Sequence, residues 1–139
     1  MAPAGSDVPV AAAEELAAAQ IPATRDVPVE FRYDTYEPTV KTTFPAFVDL
    51  VRAYRGKVRL TGHTDSRGPA AANYEMGLGR AWAVQRLLWI AGVEIEKVPI
   101  ASKGETEPIG DNTTPAGRAM NRRVEAEFLA PAGGDQPTP

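Results

Sequence analysis

The sequence predicts an α/β fold in which helices pack on one face of a single sheet. Two observations carry this prediction. Apolar and polar residues alternate in Val27–Tyr33 (VPVEFRY), which is typical of a strand. Apolar residues recur instead at helical spacing in Phe44–Val51 and again from Gly77 to Leu88. Because segments of both kinds alternate along the chain, the predicted element order is β-α-β-α-β-(α)-β.

The first predicted helix lies between two strands. Strand Val27–Tyr33 comes first, and the helix begins after Thr43, whose hydroxyl group suits an N-cap. Pro45 falls within the first helical turn, where proline is tolerated, and Gly56 ends the helix. The second strand, Lys57–Gly62, is expected at the centre of the sheet.

The second predicted helix is longer and follows a loop marked by glycines. Asn73 is a suitable N-cap for a helix over Asn73–Ala91, which Gly92 stops. Its apolar seam at i, i+4, i+7 and i+11 should face the sheet and consists of Gly77, Ala81, Val84 and Leu88. The remaining predicted elements are the strand Val98–Lys103, the short helix Ala116–Asn121 and the last strand Arg123–Phe128.

Composition divides the chain into one domain with two extensions. With 139 residues and 43% apolar content, the chain can bury the core of one domain. Residues 1–26 are rich in alanine and proline, and Leu16 is the only large apolar residue of Ala11–Gln20, so we expect a linker or a weakly docked extension. Residues 27–129 form the predicted domain, and the glycine- and proline-rich residues 130–139 are expected to be disordered.

Charge and cysteine content exclude several classes of protein. The 15 basic and 18 acidic residues give a net charge of −3, which provides no general attraction to nucleic acid or to anionic membranes. No apolar run approaches the ~20 residues that a membrane-spanning helix needs. The N-terminus has no basic region followed by an apolar one, so we expect no signal peptide. The absence of cysteine excludes disulfides and cysteine-based metal sites or nucleophiles.

Three polar side chains of different chemistry are expected to converge near the end of the central strand. They are the carboxylate of Asp65, the amide of Asn73 and the guanidinium of Arg80. On a helix, Asn73 and Arg80 share a face about two turns, or roughly 10 Å, apart. Arg80 should therefore lie at the edge of the buried seam, beside the loop that carries Asp65, where a binding group belongs.

Several motifs occur in the order typical of one family. They are TGHTD at Thr61–Asp65, N-x-x-M-G-x-x-R-A-x-x-V-x-x-x-L from Asn73 to Leu88, SKGETEP at Ser102–Pro108, and GRAMNRRVE at Gly117–Glu125. Over residues 27–129 the chain resembles the OmpA-like peptidoglycan-binding domains, which occur in OmpA-type porins, the lipoprotein Pal and the stator protein MotB. The resemblance implies a two-layer α/β sandwich with the helices packed on one mixed sheet.

The resemblance also implies a ligand, the stem peptide of peptidoglycan. Its meso-diaminopimelate carries an ammonium and a carboxylate at the end of the side chain, and Asp65 and Arg80 form a matching pair of opposite charges. A guanidinium binds a carboxylate through two parallel hydrogen bonds, which lysine does not reproduce. Asn73 is implied as a hydrogen-bonding neighbour, and Arg122 and Thr64 as further ligand contacts.

The region after the first strand departs from the family pattern. Family members often use an aspartate there for ligand contact, and Asp34 and Thr35 are the positional matches. The segment that leads from this strand to TGHTD is several residues shorter than usual, so the ligand contact of both residues stays open. Met76 and Gly77 replace the commoner leucine and serine, and both changes are mild.

The implied function is that of a non-catalytic domain without cofactor or metal. It would anchor a parent envelope protein, tethered to the outer or inner membrane, to the cell wall from the periplasm. A MotB-type stator or a Pal-type domain with additional protein partners in the envelope is an alternative. A cell-wall hydrolase is disfavoured because His63 is the only histidine, no metal-binding spacing is present, and Ser66 lacks a nucleophile-elbow sequence.

Overall fold

The computed structural model describes residues 23–131. Within this range the strands are β1 (Ala23–Asp26), β2 (Val29–Phe31), β3 (Pro38–Val40), β4 (Val58–His63), β5 (Ile100–Gly104) and β6 (Val124–Phe128). The helices are α1 (Phe44–Ala53), α2 (Ala70–Ile90) and α3 (Pro115–Asn121), and a 3-10 turn at Ile95–Lys97 precedes β5. In the same range, no helix is both long enough and apolar enough to cross a membrane.

The main sheet of the described range has four strands in the order β1-β6-β4-β5. β4 pairs in parallel with β5 and antiparallel with β6, and β6 pairs antiparallel with β1. The sheet is therefore mixed, as predicted, and the α/β class is confirmed. The central position expected for Lys57–Gly62 is also confirmed, since β4 lies between β5 and β6.

The core lies between this sheet and the helices. The seam predicted for α2 is buried, and Ala81, Val84 and Leu88 have no exposed surface. Val58 and Leu60 of the central strand are equally buried. The periodicity of the sequence thus identified the faces that meet in the core, because burial of one face is what produces a 3.6-residue or two-residue apolar period.

A pair of glycines sets the distance between α2 and the central strand. A Cβ atom built on Gly62 would lie 1.7 Å from the carbonyl oxygen of Gly77, and one built on Gly77 would lie 2.8 Å from the carbonyl oxygen of Gly62. Side chains at either position would hold the two backbones apart. The small residues of this helix therefore allow close packing on β4.

The prediction of one long strand at Val27–Tyr33 is wrong. Only Val29–Phe31 is extended as a strand, and it pairs with Pro38–Val40 in a separate two-stranded sheet. The alternation reported burial correctly, since Val29 and Phe31 point into the core. An alternating pattern shows which face of a strand is buried but does not identify the strand that pairs with it.

The edge strand β1 lies inside the segment predicted as a linker or weakly docked extension, residues 1–26. Ala23–Asp26 pairs antiparallel with β6, so that Ala23 lies opposite Phe128 and Asp26 opposite Glu125. Its side chains are mainly exposed, so backbone hydrogen bonds hold it to the sheet. The folded domain thus includes Ala23–Asp26. The rest of that segment, residues 1–22, and residues 132–139 of the tail lie outside the described residues.

Helix α2 begins earlier than predicted, and Asn73 is not its N-cap. The helix starts at Ala70 after Pro69, and the backbone N–H of Asn73 already donates to the carbonyl of Pro69 at 3.0 Å. Gly68, with φ of 90°, makes the preceding turn, and proline has a φ suited to entering a helix. The predicted stop at Gly92 is confirmed, since Gly92 follows the helix end with φ of 97°.

Candidate functional site

A pocket of about 160 Å³ opens where β4 ends, between the loop that leads into α2, the first turns of that helix, and the loop after β2. Its walls are formed by Tyr33, Asp34, Thr64, Asp65, Arg67, Gly68, Pro69, Ala72, Asn73, Met76 and Arg80. Of the seven residues predicted from the sequence, five line this pocket. Thr35 and Arg122 do not, although both contact residues that do.

Asp65 lies in the pocket wall with its carboxylate almost fully covered. Its side chain is 3% exposed and is flanked by two guanidinium groups. Arg67 Nη2 and Arg122 Nη1 both donate to its Oδ2, at 2.9 Å and 3.1 Å respectively. The backbone N–H of Arg67 donates to Oδ1 at 3.0 Å. These donors hold the carboxylate in one orientation.

The same contacts control the ionisation of Asp65. Burial raises the pKa of its carboxyl group, but the hydrogen bonds from Arg67 and Arg122 favour the charged form. The balance lowers the pKa from 3.8 to about 2. The carboxylate is therefore ionised at every pH at which the protein is expected to work.

We expect Asp65 to make folding stability dependent on acid pH. Because its pKa is lower in the folded than in the unfolded chain, its ionised form adds about 2 kcal/mol to the free energy of unfolding above pH 4, and this contribution disappears as the pH falls toward 2. The free energy of unfolding in urea, measured from pH 5 to pH 2 for wild type and Asp65→Asn, should show a gap that narrows with acid. Titration of His63 occurs in both proteins and cancels in the difference. A gap that stays constant over this range would contradict the assignment.

Arg80 is buried at the base of the site rather than at the edge of the helix seam. Its side chain is 1% exposed, and its guanidinium donates to three backbone carbonyls. The acceptors are the carbonyl oxygens of Thr35 at 2.9 Å, His63 at 3.0 Å and Arg32 at 3.2 Å. Arg80 thereby joins the end of β4 to the loop after β2, in addition to lining the pocket.

The charge of Arg80 survives this burial. Burial, and secondly the positive charge of Arg122, lower the pKa of its guanidinium, while Asp65 and Asp34 raise it, and the balance is a pKa of about 10. A guanidinium has five N–H donors, and the three carbonyls use three of them. In the described part of the chain, no hydrogen bond joins Arg80 to Asp65. Two N–H groups of Arg80 therefore have no hydrogen-bond acceptor among the described residues, and its guanidinium keeps its positive charge.

Asn73 and Thr64 line the pocket and also brace its loops. The amide of Asn73 donates to the carbonyl of Arg67 at 3.0 Å and to the carboxylate of Glu105 at 2.6 Å. Thr64 donates through its hydroxyl to the carbonyl of Asp65 at 2.8 Å. The amide oxygen of Asn73 stays available as an acceptor, while both of its N–H groups are engaged.

Asp34, Thr35 and Arg122 occupy different positions around the site. Asp34 is exposed at the rim, in a left-handed backbone conformation with φ of 59°. The hydroxyl of Thr35 accepts from the backbone N–H of Glu37, so this side chain caps its own turn. Arg122 lies behind the pocket, where its Nε donates to the carbonyl of Phe31 at 2.7 Å while Nη1 holds Asp65.

Arg67 and Tyr33 are members of the site that the sequence did not single out. The guanidinium of Arg67 lies 3.8 Å from the ring centre of Tyr33 while it pairs with Asp65. A signal for Arg67 was present, since it stands two residues after the predicted ligand-binding aspartate in a loop that Gly68 turns back. Tyr33 had been interpreted as the end of a strand.

His63 and Arg123 belong to the supporting structure beside the site. The imidazole of His63 has its Nε2 3.2 Å from Glu125 Oε1, and burial lowers its pKa, with the positive charge of Arg123 adding to this effect. Arg123 pairs with Glu125 at 2.9 Å in a salt bridge. The ring of the buried His63 is thus held by the side chain of Glu125.

Sequence and structure comparisons agree on one family. The model of the OmpA family matches residues 31–122. Outer membrane porin F of Pseudomonas fluorescens is 37% identical over 108 residues, which are 77% of this chain and 33% of that protein. The chain thus spans about a third of the length of this curated relative.

Two solved structures with the same fold are of proteins named for association with peptidoglycan or with the cell wall. The peptidoglycan-associated lipoprotein from Burkholderia pseudomallei is similar with a TM-score of 0.65 and 27% identity, over 73% of this chain and 88% of that one. The cell wall anchor of the type VI secretion system (T6SS) from Pseudomonas aeruginosa has a TM-score of 0.59 and 27% identity, over 84% of this chain and 93% of that one.

Proposed function

The chain belongs to the OmpA family, and from this premise we propose that it binds peptidoglycan without cleaving it and so anchors its parent protein to the cell wall. The observation that carries the proposal is one small pocket lined by a buried anion, Asp65, and a buried cation, Arg80. Relatives named as outer-membrane and peptidoglycan-associated proteins support a location in the cell envelope.

The proposed ligand is the side-chain end of meso-diaminopimelate in the stem peptide. Its ammonium would bind near the carboxylate of Asp65, and its carboxylate would accept hydrogen bonds from the two free N–H groups of Arg80. A volume of about 160 Å³ accommodates about five water molecules, which suits one amino-acid head rather than a sugar chain. The amide oxygen of Asn73 can accept a further hydrogen bond from the ammonium.

Modest affinity at each site is consistent with stable anchoring. A small polar ligand offers few contacts, and the cost of immobilising it consumes part of the interaction energy. The cell wall repeats the same stem peptide many times, so a protein tethered close to it rebinds at high effective concentration. Retention on the wall would therefore exceed what one pocket provides.

We expect wild-type protein to pellet with insoluble murein sacculi whose stem peptides contain diaminopimelate, and Asp65→Asn to stay in the supernatant. The amide keeps the size of the carboxylate but removes its charge. Sacculi with lysine at the third position should bind roughly ten- to a hundredfold more weakly, since lysine lacks the carboxylate that would pair with Arg80. Quantification of bound and free protein after centrifugation measures both effects.

The matched control is Asp49→Asn, which removes an equivalent carboxylate from the exposed side of α1. It should pellet like wild type. Circular dichroism must show that Asp65→Asn is folded at the pH of the assay. Folded Asp65→Asn that pellets normally would refute this site, and release of soluble muropeptides from the sacculi would indicate a hydrolase instead of an anchor.

A further inference from the structure

We infer that Arg67 is a built-in competitor for the ligand, whose guanidinium occupies the cation position on Asp65 in the free protein and moves aside when a ligand ammonium binds. This inference rests on the proposed function of the pocket. It assigns to Arg67 control over access to the aspartate, a role that ligand contact alone would not include.

The guanidinium of Arg67 covers the outward side of the carboxylate. Its Nη2 lies 2.9 Å from Oδ2 and its Nε lies 3.3 Å from Oδ1, so it contacts both oxygens. Arg122 takes Oδ2 from the inner side. With both sides occupied, Asp65 is 3% exposed. A ligand ammonium needs a direct contact of about 2.7–2.9 Å with one of these oxygens, and that contact requires one arginine to leave.

The two arginines are not equally free to leave. The side chain of Arg122 is 14% exposed and is also tied to the backbone carbonyl of Phe31 at 2.7 Å. The side chain of Arg67 is 40% exposed, and its further side-chain contact is with the face of the exposed ring of Tyr33. Ion pairs and cation–π contacts of long exposed side chains are weak because water and salt screen them. Arg67 is therefore the member of the pair that can swing out.

The backbone preserves the site when the side chain of Arg67 departs. The N–H of Arg67 donates to Asp65 Oδ1 at 3.0 Å, independently of the guanidinium, and Arg122 continues to hold Oδ2. The carboxylate thus stays aimed into the pocket with one side uncovered. Removal of the Arg67 side chain should expose a preorganised aspartate rather than a disordered one.

A competitor of this kind selects against simple cations. A ligand with only an ammonium must displace Arg67 and gains nothing in return from Arg80. A ligand that carries both an ammonium and a carboxylate displaces Arg67 and also engages the free N–H groups of Arg80. In the free protein, Arg67 neutralises Asp65 and so reduces occupation of the site by inorganic cations and polyamines.

The test is calorimetric titration of meso-diaminopimelate into wild type, Arg67→Ala and Tyr33→Ala. Arg67→Ala should bind about fivefold more tightly, because the ligand no longer has to break the exposed ion pair between Arg67 and Asp65. Tyr33→Ala should show a smaller gain, because it removes the ring face that helps to hold Arg67 beside Asp65. Arg55→Ala removes an exposed arginine that does not line the pocket and should leave the affinity unchanged.

A second readout follows the guanidinium itself. In wild type, the Nε–H resonance of Arg67 should shift toward that of a solvated arginine as diaminopimelate is added, whereas that of Arg122 stays hydrogen-bonded. Wild type that binds while Arg67→Ala binds equally or more weakly would overturn the competitor role alone. Failure of both proteins to bind would overturn the proposed function, and the competitor role with it.

Discussion

Gly62→Ala is expected to prevent folding of the domain. The new methyl carbon would lie 1.7 Å from the carbonyl oxygen of Gly77, far inside contact distance, and that oxygen belongs to the backbone of α2 while Gly62 lies within β4. Neither side can move without separating α2 from the central strand of the sheet. We expect a loss of more than about 4 kcal/mol, which is comparable to the whole stability of a small domain. Far-ultraviolet circular dichroism and thermal melting measure the loss.

Two glycines of α2 calibrate this expectation. Gly77→Ala should be milder, because its nearest clash, at 2.3 Å, is with the side-chain hydroxyl of Ser102, which can rotate, although the carbonyl oxygen of Gly62 lies 2.8 Å away. Gly79→Ala meets the ring of the half-exposed Tyr36 at 3.0 Å and adds helix propensity, so its stability should stay within about 1 kcal/mol of wild type. Equal stability of Gly62→Ala and Gly79→Ala would show that β4 and α2 leave room for a methyl group at Gly62, contrary to this prediction.

Arg80→Ala is expected to abolish binding and to destabilise the fold as well. The carbonyls of Thr35, His63 and Arg32 would lose their donor. The contact with His63 is buried and the other two are partly buried, and a buried acceptor left without a partner costs about 1–3 kcal/mol. We therefore expect a loss of about 3 kcal/mol in the free energy of unfolding. Denaturant unfolding measures this loss, and sedimentation with sacculi measures the loss of binding.

Two substitutions separate the geometry of Arg80 from its charge. Arg80→Lys keeps the charge, but one ammonium cannot reach three carbonyls that a planar fork serves, so it should be nearly as damaging as Arg80→Ala. Arg86→Ala removes an arginine from the exposed face of the same helix and should change neither stability nor binding appreciably. Wild-type stability in Arg80→Lys would mean that the carbonyl contacts contribute little and that Arg80 serves the ligand alone.

These expectations differ from what the sequence predicted for Arg80. The spacing from Asn73 and the motif that contains both residues located Arg80 beside Asp65 correctly, and the pocket lining brings them together. The sequence suggested a binding residue at the edge of the helix seam. A long side chain can end several ångströms from its Cα atom, so spacing along the helix locates the Cα atom and leaves the partners of the guanidinium open. Burial against three carbonyls makes Arg80 structural as well.

The sequence by itself determined those features of the fold in which one face of a helix or strand is buried at regular intervals. The apolar periods of α2 and β4 predicted the buried seam and the central strand, because side-chain burial leaves a regular mark on the chain. Gly92 predicted the end of its helix for a local conformational reason. The order of the motifs identified the family and five residues of the pocket.

Only the tertiary structure decided which groups become partners. The polar strand β1 joins the sheet through its backbone, and backbone pairing of an exposed edge leaves no apolar pattern to detect. Asp65 is covered by Arg67, which is close to it in the chain, and by Arg122, which is distant. The stacking of Arg67 on Tyr33 depends on where two loops meet. The contacts with Arg122 and Tyr33 arise from the way separate elements pack together, so no local property of the sequence specifies them.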